Sequence, residues 1–413
     1  MRFEVEKAFS ALVFWPLLVY CCPMNKRLMD PVLLPILEKV EAGERLNAEE
    51  GLALYASRDL NAIGFMANIV RQRKNGNVAT YVFNRYINYS NVCILNCQFC
   101  AFSAKKRDPH AFEMTIPEVA AKTRESWESG ATEIHMVGGL HPTLPGSWYL
   151  ELLAAMREAA PGIMLKAFTA IEIRHLADRI FKKPLRETLE ILRDAGLNAL
   201  TGGGAEIFDQ VVRDTICRGK ETGEEWLEVH RTWHQMGQRS TATMLYGHVE
   251  TAAHRVDHLL KLRALQDETG GFTAFIPFAF VPETTELAHI RPACSTDELK
   301  NLAISRLILD NFDHITGYWV SLGLPLASIA LNYGVDDLHG TIQEEKIFHM
   351  AGAKTPQQQT IAAMEKAIRE AGREPMQRDT FYRRIQPTSK RTFGEVNLNP
   401  KPSHHLSTHF GQR

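Results

Sequence analysis

Three cysteines stand in a Cys-x3-Cys-x2-Cys spacing, at Cys93, Cys97 and Cys100, within the stretch Asn88 to Phe102. Thiolates hold iron–sulfur clusters, and a cubane normally takes four of them. Three protein thiolates therefore leave one iron open to an external molecule. The short spacing suits this, because a tight loop can wrap three sulfurs around one cluster face. Two plainer readings stand beside it: buried small hydrophobes, or a zinc loop lacking its fourth ligand.

Further polar clusters each follow a strand-like run. His135 to Pro142 contains Gly138 and Gly139. Those glycines let backbone approach a ligand closely, or make a tight turn. His141 beside them contacts substrate or orients the turn. Gly202 to Gly204 lead into Glu206, which is an acceptor for hydroxyls or an ammonium, or a solvated side chain of a flexible loop. Tyr246 and His248 can hydrogen-bond a carboxylate or stack near an aromatic substrate, and can equally be structural. Asp336 to Thr341 bring more polar groups to the mouth of a last strand. Glu344 and Glu345 read as a helical first turn, where capping explains them. His254 and His258 lack a glutamate after the first histidine and fit the polar face of an amphipathic helix. Cys217 and Cys294 are isolated and read as buried small hydrophobes. There is no phosphate-binding glycine loop and no Gly-x-Ser-x-Gly elbow.

The elements that must position these groups alternate. Strands are predicted at 81–89, 133–137, 164–168, 199–201, 241–246, 274–280, 315–320 and 335–341. Helices are predicted at 116–129, 147–159, 185–195, 224–236, 252–268, 295–312, 326–331 and 355–371. Eight strand–helix units predict an α/β fold, a parallel (β/α)8 barrel of the TIM type, with a partly open barrel as the alternative. Chemistry in such barrels sits at the C-terminal ends of the strands, where all the clusters above fall. The chain divides into an N-terminal stretch 1–23, a helical lead-in 24–80, a barrel 81–385 and a polar tail 386–413. Asn47 is a plausible N-cap in the lead-in. Arg71 to Asn77 reads as a basic connector.

The chain has 413 residues, 45% hydrophobic and 23% charged, with a formal net charge of -1. That balance gives no electrostatic case for a nucleic-acid partner. Cysteines that bind iron must stay reduced, which points to the cytoplasm. Ala8 to Cys22 is uncharged and mostly apolar, but falls short of the ~20 residues of a spanning helix. It also lacks the positive flank of a signal peptide, so no stable membrane insertion is expected. The reading taken is that Met24 is the true start.

On these residues the chain resembles the aminofutalosine synthases, radical S-adenosylmethionine (SAM) enzymes of the futalosine route to menaquinone. The resemblance runs from about Leu28 to Ile385. It is carried by Cys93 to Phe102, Asp108 to Met114, Val137 to Pro142, Lys166 to Thr169, Gly202 to Glu206, Thr243 to Glu250, Gln266 to Gly271 and Gly340 to Gly352. It implies a 4Fe–4S cluster on Cys93, Cys97 and Cys100, with SAM chelated at the open iron and consumed as a substrate. It further implies that Phe102 lies along the adenine, that Gly138 and Gly139 take the SAM amino group, and that Glu206 takes ribose hydroxyls or the ammonium. His141, Tyr246, His248 and 336–341 become candidate anchors for the carboxylates of an enol-ether benzoate. An external one-electron donor such as flavodoxin or ferredoxin is implied. Sister families, the dehypoxanthine futalosine cyclase and the deazaflavin (F420 precursor) synthase subunits, share several motifs and abstract hydrogen instead. A non-enzymatic metal-binding module is the remaining alternative.

Overall fold

The computed structural model describes residues 25–385. The expected N-terminal stretch 1–23 and the tail 386–413 lie outside the described residues. Among the described residues three α-helices precede the first strand: α1 (Leu34–Ala42), α2 (Ala48–Ala56) and α3 (Leu60–Asn75). Asn47 caps α2 as predicted, in a reciprocal box with Glu50 at 2.8 and 2.9 Å. Arg71 is not in a connector. It is buried in α3, where its guanidinium binds the carbonyl of Gly76 at 2.7 Å.

Ten strands follow among the described residues: β1 (Val78–Val82), β2 (Asn84–Ile87), β3 (Glu133–Met136), β4 (Met164–Ala167), β5 (Ala199–Leu200), β6 (Arg239–Tyr246), β7 (Phe272–Ala279), β8 (His314–Ile315), β9 (Asp337–Gly340) and β10 (Glu374–Arg378). β2 to β8 form one curled sheet in sequence order, all pairs parallel. β9 bridges the gap. Gly317 N–H donates to Asp337 O at 2.8 Å on one flank, and Thr341 N–H donates to Val82 O at 3.1 Å on the other. The barrel architecture expected from the alternating pattern is thus present.

The helices on the outside include α4 (Ile116–Glu128), α5 (Gly146–Ala159), α6 (Ala170–His175), α7 (Leu185–Asp194), α8 (Gln210–Ile216), α9 (Gly223–Gln235), α10 (Ala252–Thr269) and α11 (Ser295–Ile308). Several expectations need correction. The first stave is broken at Phe83 into β1 and β2. The predicted strand 315–320 is two residues long, and Trp319–Leu322 is helical, capped off by Gly323. The short helices α6 and α8, and strand β10, were not predicted, being too brief for a clear periodicity. His258 is fully buried, stacked on Phe208 at 3.9 Å, rather than on a polar face. Cys217 is buried as expected, but Cys294 is exposed.

Asp336 and Asp337 are also misplaced by the sequence reading. Both are fully buried in the barrel wall rather than at its mouth. Asp336 is paired with Arg306, and Asp337 with Arg378 at 2.8 Å.

Candidate active site

The cysteine loop leaves β2 and is fixed at both ends. Cys93 N–H donates to Ala104 O at 2.9 Å, and Ile94 N–H to Leu140 O at 3.1 Å beside the glycine turn. Gln98 N–H donates to Ile216 O at 2.8 Å, at the C-terminal end of α8. Lys105 Nζ gathers the carbonyls of Cys93, Ile94 and Leu95 at 2.7–3.3 Å. All three cysteines are free thiols and line one deep cavity at the barrel mouth. Burial raises the thiols of Cys97 and Cys100, so a bound metal must displace their protons.

The donor set fits a cluster. Three free thiols line one cavity, and a cubane held by three thiolates, one to an iron, keeps its fourth iron open.

The glycine turn after β3 packs under this loop. A Cβ on Gly139 would meet Val92 O at 2.4 Å, and one on Gly138 would meet the Tyr89 ring at 2.5 Å. The close approach that demands glycine here is therefore to the cysteine loop itself. Gly139 N–H donates to Ser90 O at 2.8 Å, and Gly138 N–H to Glu172 Oε1 at 3.0 Å. Glu172 also accepts from Tyr89 at 2.8 Å and caps α6 through Thr169. Burial pushes its carboxyl up to about 7. Glu172 was missed, although Thr169-x-x-Glu172 is a capping-box signature legible in the sequence.

Also lining the cavity, Glu206 follows the triple glycine with a left-handed φ of 44°. It is ion-paired with Lys220, which sequence reasoning did not single out. Burial alone would raise Glu206, but the Lys220 ammonium outweighs it and holds the carboxyl below its ordinary value. Lys220 is raised in turn, and its ammonium lies 5.5 Å from the Phe99 ring in the cysteine loop. Phe102 is buried, edge-on to Phe112 at 5.9 Å, and lines the same cavity.

Three expected contacts are not in the cavity lining. Thr241, Thr243 and Leu245 of β6 line it, so strand alternation turns Tyr246 to the outside. Tyr246 lies there with its ring 5.1 Å from the Arg255 guanidinium. His248 bonds Leu245 O at 3.0 Å through Nε2 and lies 3.0 Å from Glu250 through Nδ1. His141 accepts the N–H of Leu144 at 3.1 Å, and its Nε2 lies 2.8 Å from Glu113. His141 and His248 brace loops and Tyr246 packs against Arg255 of α10, and none of the three lines the cavity. The same alternation turns His135 and His339 inward, where they line the cavity with Tyr86 and Tyr318.

Residues 87–262 match the profile of the Radical SAM superfamily, and 269–390 match the CofH/MqnC C-terminal region. The chain is 46% identical over 361 residues to an aminodeoxyfutalosine synthase of Thermus thermophilus, covering 86% of this chain and 97% of that one. The chain belongs to the radical SAM superfamily. A second aminodeoxyfutalosine synthase, from Streptomyces coelicolor, is 42% identical over 366 residues, covering 86% of this chain and 94% of that one. So is a 5-amino-6-(D-ribitylamino)uracil–L-tyrosine 4-hydroxyphenyl transferase of Methanoculleus marisnigri, 42% identical over 360 residues, 86% of this chain and 98% of that one. The crystal structure of methylornithine synthase shares the fold, with a TM-score of 0.65 at 19% identity over 82% of this chain and 97% of that one. Among the described residues of this radical SAM enzyme, no helix is long and apolar enough to cross a membrane.

Proposed function

We propose that this enzyme is an aminofutalosine synthase. It transfers the 5′-deoxyadenosyl group of SAM, with release of methionine, to the alkene of 3-(1-carboxyvinyloxy)benzoate. The carboxyl leaves as carbon dioxide with a proton and the one electron that cleaved SAM, giving 6-amino-6-deoxyfutalosine. The observation that carries this is one cavity holding the cysteine loop and glycine turn at its mouth and aromatic, imidazole-bearing walls deeper in. The two aminodeoxyfutalosine synthase relatives support the choice of reaction. Cys93, Cys97 and Cys100 hold a 4Fe–4S cluster, which when bound supplies one electron, taken from an external donor, to cleave SAM. Gly138 and Gly139 present backbone to the SAM amino group, held in place by Glu172. Lys220 and Glu206 supply a charged pair beside it for the carboxylate, ammonium or ribose. Phe102, Phe278 and Phe280 keep water and hydrogen donors from the reacting carbon.

The test is an anaerobic turnover of the reconstituted enzyme with SAM, reductant and the enol-ether substrate, followed by mass analysis. An adduct carrying the adenosyl carbons is expected. Release of free 5′-deoxyadenosine with no adduct overturns the reading and points to a hydrogen-abstracting sister. Aryl transfer from tyrosine would place the chain with its 4-hydroxyphenyl transferase relative.

A further inference from the structure

Below the glycine turn the cavity continues into the barrel. Its floor carries Tyr86 on β2, His135 on β3, Tyr318 after β8 and His339 on β9. Tyr86 and His135 are register partners across adjacent strands. Their rings are stacked, with centroids 4.2 Å apart and planes 16° apart. His339 stands edge-on to Tyr86 at 5.9 Å and to Tyr318 at 5.3 Å. Flat faces and ring edges of this kind suit an aromatic guest.

The floor also has unspent hydrogen-bonding capacity. His339 Nε2 lies 3.3 Å from the Tyr86 hydroxyl. When Tyr86 donates there, the imidazole proton sits on Nδ1. Nδ1 of His339 and Nδ1 of His135 are both buried and without a partner in the protein. Buried polar atoms are seldom left so unless something else meets them. His339 further holds a left-handed φ of 65°, with its N–H on Asp337 Oδ2 at 3.0 Å. Strain of this kind persists where surrounding structure enforces it, and it clusters at ligand sites. Burial, and then the Lys166 ammonium, keep both imidazoles neutral, so each has one N–H to give. Glu345 lines the cavity too, but its oxygens accept the N–H groups of Phe348 and His349 at 3.0 and 3.2 Å.

We propose that His135 and His339, aligned by Tyr86, form a subsite for an aryl carboxylate, each donating an N–H to one of its oxygens. This rests on the reaction proposed above and assigns the benzoate end of the substrate to the floor. His135 lies on β3 one residue before the strand ends, and three residues before Gly138, so it sits below the glycine turn. An arene bound there turns its alkene toward that turn.

The experiment is calorimetric binding of 3-methoxybenzoate to the cluster-reconstituted enzyme with SAM and without reductant. The variants are His135→Phe, which keeps the ring stack, and His339→Asn, which tolerates the left-handed backbone. Each is expected to bind 3-methoxybenzoate about 10- to 100-fold more weakly with SAM affinity unchanged. The wild type is expected to prefer the acid over 3-methoxybenzamide by about tenfold or more, a readout that needs no variant. Unchanged affinity in both variants, or no preference for the acid, overturns the subsite. The expected binding pattern in an enzyme that makes no adenosyl adduct keeps the subsite and discards the reaction.

Discussion

The carboxylate of Glu172 joins the backbone N–H of Gly138, at 3.0 Å, to the hydroxyl of Tyr89, at 2.8 Å. It thereby locks the glycine turn to the root of the cysteine loop. Glutamine in its place offers one acceptor oxygen and an NH2 that opposes a donor. Glu172→Gln should weaken SAM binding about tenfold, in line with the loss of an orienting partner. Iron content should not change. Equilibrium SAM binding and iron analysis on the same preparation check this, and an unchanged affinity would leave Glu172 as a helix cap alone.

The cysteines make a sharper contrast. Alanine at Cys93, Cys97 or Cys100 should lower bound iron and abolish SAM cleavage. Cys217→Ser should keep both, because Cys217 is buried outside the cavity lining. Iron and sulfide analysis with visible absorbance decides. A cluster retained in Cys93→Ala would sink the assignment.

Lys220 and Glu206 are a nearly dry pair, with side chains 7% and 10% exposed. Lys220→Met strands the carboxylate and should cost about 3–5 kcal/mol. Adding Glu206→Gln should restore most of that stability without restoring SAM affinity. Denaturant unfolding of the single and double variants, with SAM titration, separates the two effects.

Acid should weaken the fold through its buried histidines. Burial lowers His258 to about 3, and its Nε2–H donates to Thr243 O at 2.9 Å. The unfolded chain takes up a proton near pH 6.5, well before the folded one does. The stability from neutral His258 is therefore full above pH 6.5 and lost as pH falls toward 3. Glutamine keeps a donor for Thr243 and does not titrate. His258→Gln should lessen the loss of stability between pH 6.5 and 4.5, read as the denaturant midpoint at each pH. A slope equal to the wild type would disprove the effect.

The sequence by itself determined the barrel and the cluster loop, because both are written in local patterns. Strand–helix alternation recurs along the chain, and the three cysteines fall within eight residues. The left-over ambiguity was one of facing. Tyr246 and His248 sit at a strand end, as active-site residues of barrels do, yet one step of alternation puts Leu245 inward and Tyr246 outward. Only the tertiary structure decided which polar side chains share the cavity. Glu172 reaches Gly138 across 34 residues, Lys220 reaches Glu206 across 14, and His339 reaches Tyr86 across 253. Such meetings depend on strand order and barrel curvature, which no spacing within a single segment encodes.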